Sequence, residues 1–407
     1  MRADVDVLVI GAGQAGLAMS HELTAEGVEH VVLDSETVGS TWADRWDSFH
    51  LVTPNHFIRL PGGEYHGPYG SGYLSRDEVI AHLQRYAASF GAPVEEHRPV
   101  TALRLDGDDA LVADTPAGGI RARRVVVATG AYQHERRPAW AQELAHRMPV
   151  LGSTDYRSPN DVPDDLPDGV VLVVGGGQSA AQLADELFAA GREVVMAAGS
   201  APAIPRRVAG RDGIDWLEAA GFFEQTLADQ PSVAVRVAAN PLVTGNHGGQ
   251  DLNLRTLADE GVHLCGRVLG IDGDRLVVAD DLAASVAKGD EAYRQVWQAA
   301  TAISAAWGLP GPEELPADPP APVAVAPPRL ARVAAVIVAC GYRPDYGWIE
   351  LDGVTDEHGF PVQEGGRSPR SSRLWFIGVP WMTTRRSPLL MGVGADATAI
   401  ARAIAAA

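Results

Sequence analysis

The stretch VLVIGAGQAGLAMSHEL, Val7–Leu23, decides the fold of this 407-residue chain. It opens with an apolar run, continues through Gly11, Gly13 and Gly16, and ends in apolar residues at helical spacing. This order predicts a buried strand, a tight turn and an amphipathic helix. In such a unit the first glycine allows the turn and the second lets a dinucleotide pyrophosphate approach the backbone. The third glycine lets the helix pack closely on the strand.

The start of the predicted helix, at Gln14 and Ala15, is the expected pyrophosphate site. An anion is favoured there because the first N–H groups of a helix have no partners within it and the helix dipole is positive at this end. The second strand of the unit, EHVVLD, ends in Asp34, 23 positions after Gly11. A carboxylate near this spacing binds a ribose 2′-hydroxyl, and it fits the adenosine ribose of FAD. The N-terminal unit therefore predicts an FAD site.

The same unit occurs a second time, 164 positions further along the chain. With that shift VLVVGGGQSAAQLADEL, Val171–Leu187, lies over the first stretch and repeats its first two turn glycines and the glutamine that follows them. Alanine fills the third glycine position, which the motif permits. Internal repetition of this kind indicates one structural unit used twice. The residues predicted to bind a second dinucleotide are Gly175, Gly177, Gln178, Ser179 and Ala180.

The second unit differs from the first at the end of its second strand. The residue equivalent to Asp34 is Ala198, so no carboxylate is present for a free 2′-hydroxyl. Arg206 and Arg207 follow shortly afterwards, and a cation without a competing carboxylate suits a 2′-phosphate. We therefore expect NADPH rather than NADH at this site. The alternative is that the arginine pair is only a solvated turn.

Two further predicted strands end in small residues. They are RVVVATGAY, Arg124–Tyr132, and AAVIVACGYRP, Ala334–Pro344. We interpret them as the returns of the chain to the two nucleotide sheets, where small residues such as Gly130 and Gly341 let the backbone pass close to a cofactor. The C-terminal stretch, with Gly378 in its loop, is expected to add a strand, a loop and a closing helix to the first domain.

The fold class that follows is α/β, with two Rossmann-like dinucleotide-binding domains, the second inserted into the first. We expect an FAD-binding domain formed by residues 1–145 and 331–407, and an NADPH-binding domain formed by residues 146–330. Proline-rich stretches, SPNDVPDDLPDG and LPADPPAPVAVAPP, bound the inserted domain. A chain of this length has room for two such cores.

The composition excludes several classes of protein. The net charge of −19 would repel nucleic acid phosphates and anionic lipid, so neither is expected as a partner. The two cysteines form no C-x-x-C pair, which excludes a redox dithiol, and the histidine spacings predict no metal site. The apolar runs are shorter than the roughly 18 residues of a membrane-spanning helix. The N-terminus has no room for a signal peptide, and we expect a cytoplasmic protein.

With both glycine motifs in place, the chain resembles the flavin-containing, or class B, flavoprotein monooxygenases, in particular their bacterial branch. The likeness spans nearly the whole length. Besides the paired motifs, its most specific parts are the segment GSTWADRWDSFHLVTPN, Gly39–Asn55, and the stretch GVPWMTTRRSPLLMGVG, Gly378–Gly394. The resemblance implies FAD and NADPH as cofactors and suggests a homodimer as the assembly.

The resemblance also implies a reaction with O2 and a small organic substrate. In such enzymes NADPH reduces the flavin and O2 adds at flavin C4a. The resulting (hydro)peroxyflavin then performs N- or S-oxygenation or Baeyer–Villiger insertion in a site that excludes water. By resemblance Gly39, Ser40, Thr41 and Trp42 line the FAD, and Asn55 lies beside C4a and positions the peroxide. The alternative for Asn55 is an asparagine that caps a loop.

One fingerprint of that family, F-x-G-x-x-x-H-x-x-x-(Y/W), is degraded in this chain. It falls on HRMPVLGSTDY, where His146, Met148 and Gly152 replace the phenylalanine, glycine and histidine, and Tyr156 is retained. By resemblance the fingerprint orients the linker between the domains and the bound nicotinamide. Its loss therefore affects the oxygenation half of the cycle and not the binding of either cofactor.

The sequence is compatible with three functions. The first is an NADPH-dependent FAD monooxygenase. The second, which Gly152 favours, is an NAD(P)H-dependent flavin reductase or dehydrogenase without productive oxygenation. The third is a non-catalytic FAD- and NADP-binding regulatory protein, which two intact glycine motifs disfavour. The role of Arg385 and Arg386, beside the C-terminal glycine loop, is open between the nicotinamide, the substrate and solvent.

Overall fold

The computed structural model describes residues 3–107, 110–163, 166, 169–312, 314–315 and 320–407. Parts of both proline-rich boundary stretches, at 164–165, 167–168 and 316–319, lie outside the described residues. The strands are, in chain order, β1 (Ala3–Ile10), β2 (His30–Leu33), β3 (Arg59–Leu60), β4 (Gly63–Glu64), β5 (Val94–Glu95), β6 (Ala102–Asp106), β7 (Ala110–Thr115), β8 (Gly118–Val127), β9 (His134–Glu135), β10 (Val150–Gly152), β11 (Val170–Val174), β12 (Glu193–Ala197), β13 (Arg207–Val208), β14 (Arg211–Asp212), β15 (His263–Cys265), β16 (Val268–Asp272), β17 (Arg275–Val278), β18 (Val333–Val338), β19 (Tyr342–Arg343) and β20 (Leu374–Phe376). The α-helices are α1 (Gln14–Ala25), α2 (Ser40–Ala43), α3 (Arg76–Ser89), α4 (Ala139–Ala145), α5 (Gln178–Ala189), α6 (Gly213–Ala219), α7 (Leu254–Glu260), α8 (Leu282–Ala306) and α9 (Val393–Ala405).

The first sheet has the strand order β5-β2-β1-β8-β7-β6, with β20 paired beside β8. Strand β1 runs parallel to β2 and β8, whereas β6, β7 and β8 form an antiparallel meander. Helix α9 packs on α1, so the C-terminal stretch completes this domain as predicted. The centre of β1 is fully buried at Val7, Leu8 and Val9, because a parallel strand of this kind is covered on both faces.

The second sheet is parallel throughout, with the order β10-β18-β11-β12-β15. Every residue of β11, VVLVV, is buried, and α5 packs against β11 and β12. The two predicted βαβ units are thus β1-α1-β2 and β11-α5-β12. The prediction of two Rossmann-like domains, the second inserted into the first, is confirmed.

One predicted domain boundary is wrong. Strand β18 was assigned to the FAD-binding domain by the boundary at residue 331, but it lies between β10 and β11 in the second sheet. A strand in the middle of a sheet cannot belong to another domain, so the inserted domain extends to at least Val338. The two crossings between the domains then run side by side, because β9 and β19 pair as an antiparallel ribbon.

The longest helix, α8, packs against α6 and α7 in the inserted domain. Its inner face buries Val286, Val296 and Ala300, while the exposed residues of the helix are alanines and polar side chains. In the part of the chain that the structure describes, no helix combines the length and apolar character needed to cross a bilayer.

Arg206 joins the inserted domain to the first domain from inside the protein. Its side chain is 2% exposed and donates to the equally buried Asp212. The guanidinium also donates to the carbonyl oxygens of Val52, at 2.9 Å, and Thr244, at 3.3 Å. Its carbon lies 4.8 Å from the ring centroid of Tyr73. The prediction that Arg206 binds a 2′-phosphate is therefore wrong, because the guanidinium is enclosed and already holds a carboxylate.

We predict that Arg206→Gln lowers the free energy of unfolding by about 3–5 kcal/mol, because Asp212 would stay buried without its cation. The control is Arg207→Gln, which removes an exposed guanidinium and should change stability by less than about 0.5 kcal/mol. Urea denaturation followed by circular dichroism measures both. An Arg206→Gln protein with wild-type stability and a weakened affinity for NADPH alone would contradict this assignment.

Candidate functional site

The first glycine turn combines two packed glycines with one that faces open space. Gly11 has a φ of +104°, and a Cβ there would lie 2.8 Å from the Ala128 carbonyl oxygen. A Cβ on Gly16 would lie 1.8 Å from the carbonyl oxygen of Gly11, so helix and turn touch at this point. A Cβ on Gly13 would meet no atom within 4 Å. The backbone at Gly13 is therefore open to a group as large as a pyrophosphate.

Helix α1 begins at this opening with free N–H groups. Gly13 is its N-cap, no side chain caps it, and its first turn holds no acidic residue. The Gln14 side chain does not cap the helix but donates to the carbonyl oxygen of Pro388 at 2.6 Å. Gly378 has a φ of +74°, and a Cβ there would be 2.6 Å from the Cβ of Ala15. The loop from Gly378 to Pro388 is thus held against the start of α1 at both of its ends.

Asp34 lies at the end of β2 and reaches back to the same turn. Its carboxylate accepts the backbone N–H of Ala12 at 2.5 Å and that of Glu36 at 2.9 Å. Burial raises the pKa of Asp34, and the hydrogen bonds from Ala12 and Glu36 oppose that rise. A carboxylate has about four lone-pair positions, so two remain for donors such as ribose hydroxyls. The predicted ribose-binding carboxylate therefore stands next to the open turn.

Of the four residues that the resemblance places around FAD, Gly39 is the N-cap of α2 and the other three lie on that helix. Gly39 has a φ of +91° and a Cβ there would lie 3.1 Å from the side chain of Ile80, so this position favours glycine. Ser40, Thr41 and Trp42 are at least partly accessible to solvent. Their contact with FAD stays a prediction.

Asn55 is buried, and its side-chain amide hydrogen-bonds the backbone of the loop from Tyr69 to Leu74. Its Nδ2 donates to the Tyr69 carbonyl at 2.9 Å, and its Oδ1 accepts the Leu74 backbone N–H at 2.7 Å. Its own backbone N–H donates to Gly72 at 2.9 Å. The geometry therefore supports the loop-capping alternative, while one N–H of Nδ2 is left for a further acceptor. The peroxide-positioning role stays a prediction.

The second glycine turn repeats the geometry of the first. Gly175 has a φ of +148°, and a Cβ there would lie 2.2 Å from the Ala339 carbonyl oxygen. Around a Cβ on Gly177 the nearest atom would be the Cβ of Ala239, at 3.8 Å. Gly177 is the N-cap of α5, which has no side-chain cap and no acidic residue in its first turn. The Gln178 side chain bonds both the carbonyl oxygen and the N–H of Val243, as Gln14 holds Pro388 in the first copy.

Two further predicted residues stand in the first turn of α5. Ser179 is partly exposed, whereas Ala180 is fully buried. The Ala180 Cβ would lie 3.0 Å from a Cβ on Gly175, so this alanine fills the place of Gly16 in the first copy by packing against the turn. Both contacts with a dinucleotide stay predictions.

The end of the second strand, β12, has a cation that the sequence did not single out. The aliphatic part of Arg267 lies 3.6 Å from the position of a Cβ on Gly199, which follows the buried Ala198. Arg267 follows β15, the neighbour of β12 in the sheet, and its Nε donates to Asp281 at 2.5 Å. No sequence motif could have found it, because β12 and β15 are adjacent only in the folded sheet. Arg207 instead reaches the Tyr73 hydroxyl at 3.4 Å.

The linker between the domains replaces the missing fingerprint histidine with a carboxylate. A Cβ on Gly152 would lie 1.7 Å from the Glu135 carboxylate. That carboxylate accepts the Ser153 hydroxyl and the Thr154 N–H, each at 2.9 Å. The Ser153 hydroxyl is also 2.8 Å from the hydroxyl of Tyr342 on the other crossing. Gly152 is thus the residue that leaves room for Glu135.

Three further predicted residues are near these contacts in the chain. They are Tyr156, which the fingerprint retains, and the glycines Gly130 and Gly341, which flank the two crossings between the domains. Tyr156 is fully buried and its hydroxyl donates to Glu186 on α5 at 3.1 Å. Gly130 and Gly341 have φ values of +71° and +87°, and a Cβ on either would meet no atom within 4 Å. Both glycines therefore border open space, as expected beside a cofactor.

Comparison with known proteins gives one family match and relatives of full length. A model described as pyridine nucleotide-disulphide oxidoreductase matches residues 8–207. An uncharacterized CzcO-like oxidoreductase of Geobacillus kaustophilus is 30% identical over 400 residues, which cover 98% of this chain and 97% of the relative.

The solved structures that share the fold of this chain include a monooxygenase and a disulfide reductase. A flavin-containing monooxygenase from Stenotrophomonas maltophilia has a TM-score of 0.68 at 22% identity, with 99% of each chain covered. The bacillithiol disulfide reductase from Staphylococcus aureus has a TM-score of 0.62 at 14% identity, again with 99% of each chain covered.

Proposed function

Because the chain belongs to the CzcO-like oxidoreductases and has the fold of the flavin-containing monooxygenases, we propose that it is an NADPH-dependent FAD monooxygenase of a small organic molecule. One observation carries the proposal. Gly13 and Gly177 each precede an uncapped helix N-terminus, and a Cβ on either would have no neighbour closer than 3.8 Å. Two such cradles fit two pyrophosphates, and two dinucleotides on one chain serve a hydride transfer between them.

The first cradle is the proposed FAD site. The N–H groups at the start of α1 would bind the pyrophosphate, and Asp34 would accept a ribose hydroxyl. A hydroxyl that donates to Asp34 favours the ionised carboxylate, and so offsets the rise in pKa that burial causes. Bound FAD would accept a hydride from the nicotinamide and pass the electrons to O2.

The second cradle is the proposed NADPH site. The start of α5 would bind the pyrophosphate, and Ala198 leaves the end of β12 without a carboxylate that could repel a 2′-phosphate. Arg267 supplies the cation there, in place of Arg206. Its pairing with Asp281 leaves other guanidinium N–H groups for a phosphate, since Nε donates the bond to Asp281.

Contacts between the domains support a single reaction cleft that restricts water. His56 and Arg59 of the first domain bond carboxylates on α6 of the second, Asp215 at 2.7 Å and Glu218 at 2.5 Å. Tyr73 donates to the buried Asp212 at 2.6 Å. A closed cleft matters because oxygenation must deliver one oxygen atom of O2 to the substrate and release the other as water. A wet site would release hydrogen peroxide instead.

A flavin reductase without productive oxygenation remains the second candidate, because the linker has no imidazole at Gly152. The Glu135 carboxylate favours the monooxygenase over it. Through Ser153 and Thr154 it orders the same linker segment that the histidine would orient by resemblance.

We predict that NADPH bleaches the flavin of the FAD-loaded protein under anaerobic conditions. When O2 is then admitted with a panel of sulfides, amines and ketones, one substrate class should gain one oxygen atom per NADPH oxidised. The ratio of hydrogen peroxide to NADPH should fall in the presence of that substrate. A stoichiometric ratio with every compound would support the reductase instead, and absence of bleaching by NADPH and NADH would leave only the regulatory protein.

We also predict that Arg267→Gln raises the KM for NADPH by about 10-fold or more and leaves that for NADH nearly unchanged, because a charge-assisted bond to phosphate is lost. Steady-state kinetics with both nucleotides measure the effect. The matched control is Arg207→Gln, which should behave as the wild type. A selective loss of NADPH affinity in Arg207→Gln would move the phosphate contact there, and equal effects on both nucleotides would exclude phosphate recognition by Arg267.

A further inference from the structure

Arg385 is a half-buried cation without a carboxylate partner. It lies in the loop between β20 and α9, and among the described residues no carboxylate oxygen lies within 4.0 Å of its guanidinium. Its Nε is buried without a hydrogen-bond partner. Arg386 and Arg236 also have a buried Nε without a partner, but each pairs with a carboxylate, Arg386 with Glu224 and Arg236 with Asp356 at 2.6 Å. Those two guanidinium groups are neutralised and that of Arg385 is not.

Two aromatic rings lie against this guanidinium. Its carbon lies 3.9 Å from the ring centroid of Phe222 and 4.4 Å from that of Trp381. A cation–π contact does not use up the N–H groups of a guanidinium, so those that point away from the rings can still donate. Burial lowers the pKa of Arg385 to about 10, so the group stays charged at neutral pH. The apolar walls make an unpaired charge costly, and a bound anion would remove that cost.

The backbone of Trp381, one of these two aromatic residues, is held in an unusual conformation. Trp381 is buried and has a φ of +60°, in the left-handed region that bulky residues rarely adopt. The surrounding loop fixes it, because the Met382 carbonyl accepts the Gln363 side chain at 2.9 Å. Thr383 donates to Asp396 of α9 at 2.7 Å. Strain kept by such contacts clusters at ligand sites.

Arg385 stands where the two domains and the first cradle meet. Its backbone N–H donates to the Gln225 carbonyl of the inserted domain at 2.9 Å. Three residues later, the Pro388 carbonyl accepts the side chain of Gln14 at the start of α1. A ligand on Arg385 would therefore lie between the inserted domain and the proposed FAD site, which is where a substrate must lie.

We propose that Arg385 binds the carboxylate of an organic substrate whose apolar body packs on Phe222 and Trp381. The proposal rests on the proposed monooxygenase function, since it names the substrate class of the same cleft. A carboxylate matches the forked donors at the edge of a guanidinium, and the aromatic walls favour an aromatic or alkyl body. A phosphate of the nicotinamide nucleotide is the competing anion, which the test must separate.

Isothermal titration of the FAD-loaded protein with 3-phenylpropionate and its amide, 3-phenylpropionamide, tests this proposal. The wild type should bind the carboxylate at least about 10-fold more tightly than the amide, and Arg385→Gln should abolish that preference. Arg385→Lys keeps the charge and should keep part of it. Arg211→Gln is the matched control, since Arg211 also stacks on two rings, those of Trp216 and Trp307, but is exposed.

Equal or absent binding of the two probes by the wild type would overturn the proposal, as would a preference that survives in Arg385→Gln. A selective loss of NADPH affinity in Arg385→Gln, with carboxylate affinity unchanged, would overturn it in favour of the nucleotide phosphate. Thermal unfolding of each variant, together with the partial rescue by lysine, separates loss of binding from loss of fold. Flavin content and bleaching by NADPH are read on the same samples, so a protein that is coloured and reducible but lacks the preference contradicts this inference alone.

Discussion

The structure depends on how closely one stretch of backbone can approach another at a glycine turn. A Cβ on Gly16 would lie 1.8 Å from the carbonyl oxygen of Gly11, so α1 can begin where it does only because residue 16 lacks a side chain. A Cβ on Gly11 would in turn lie 2.8 Å from the carbonyl oxygen of Ala128. That close approach aims the free N–H groups of the helix at the open space beside Gly13. The same packing constraint at Gly175, against Ala339, builds the second cradle in the inserted domain.

The rest of the molecule keeps these two cradles in a fixed relation. The paired crossings β9 and β19 connect the domains, and the Glu135 carboxylate ties one crossing to the start of the inserted domain. On the other side, the buried pair of Arg206 and Asp212 joins the inserted domain to the carbonyl of Val52. A buried ion pair stabilises little by itself, but it permits few alternative arrangements once it is enclosed. Apolar contacts cross the same boundary, because Phe57 and Met391 of the first domain belong to a buried cluster with Trp216 of the inserted domain. Polar ties and apolar packing together thus set the orientation of the domains.

Local patterns in the sequence predicted the structural features that depend on residues close together in the chain. The strand, turn and helix of each unit follow from apolar periodicity and glycine spacing, and so does the position of Asp34 beside the first turn. Contacts between distant segments were not predictable in the same way. An exposed arginine that binds a phosphate and a buried arginine that joins two domains look alike in sequence. This is why Arg206 was misassigned. Arg267 approaches Gly199 only through the pairing of β12 and β15, and β18 joins the second sheet although it follows the inserted stretch.

The central proposal is that the two cradles open on one cleft, in which a bound nicotinamide would pass a hydride directly to a bound flavin. Anaerobic oxidation of NADPH by the FAD-loaded protein, with deuterium placed on one or the other face of nicotinamide C4, tests it most directly. The account predicts that the NADP+ formed loses deuterium from one labelled face and keeps it from the other, since a fixed cleft presents a single face to the flavin. Equal loss from both faces, or no NADP+ at all, would contradict it.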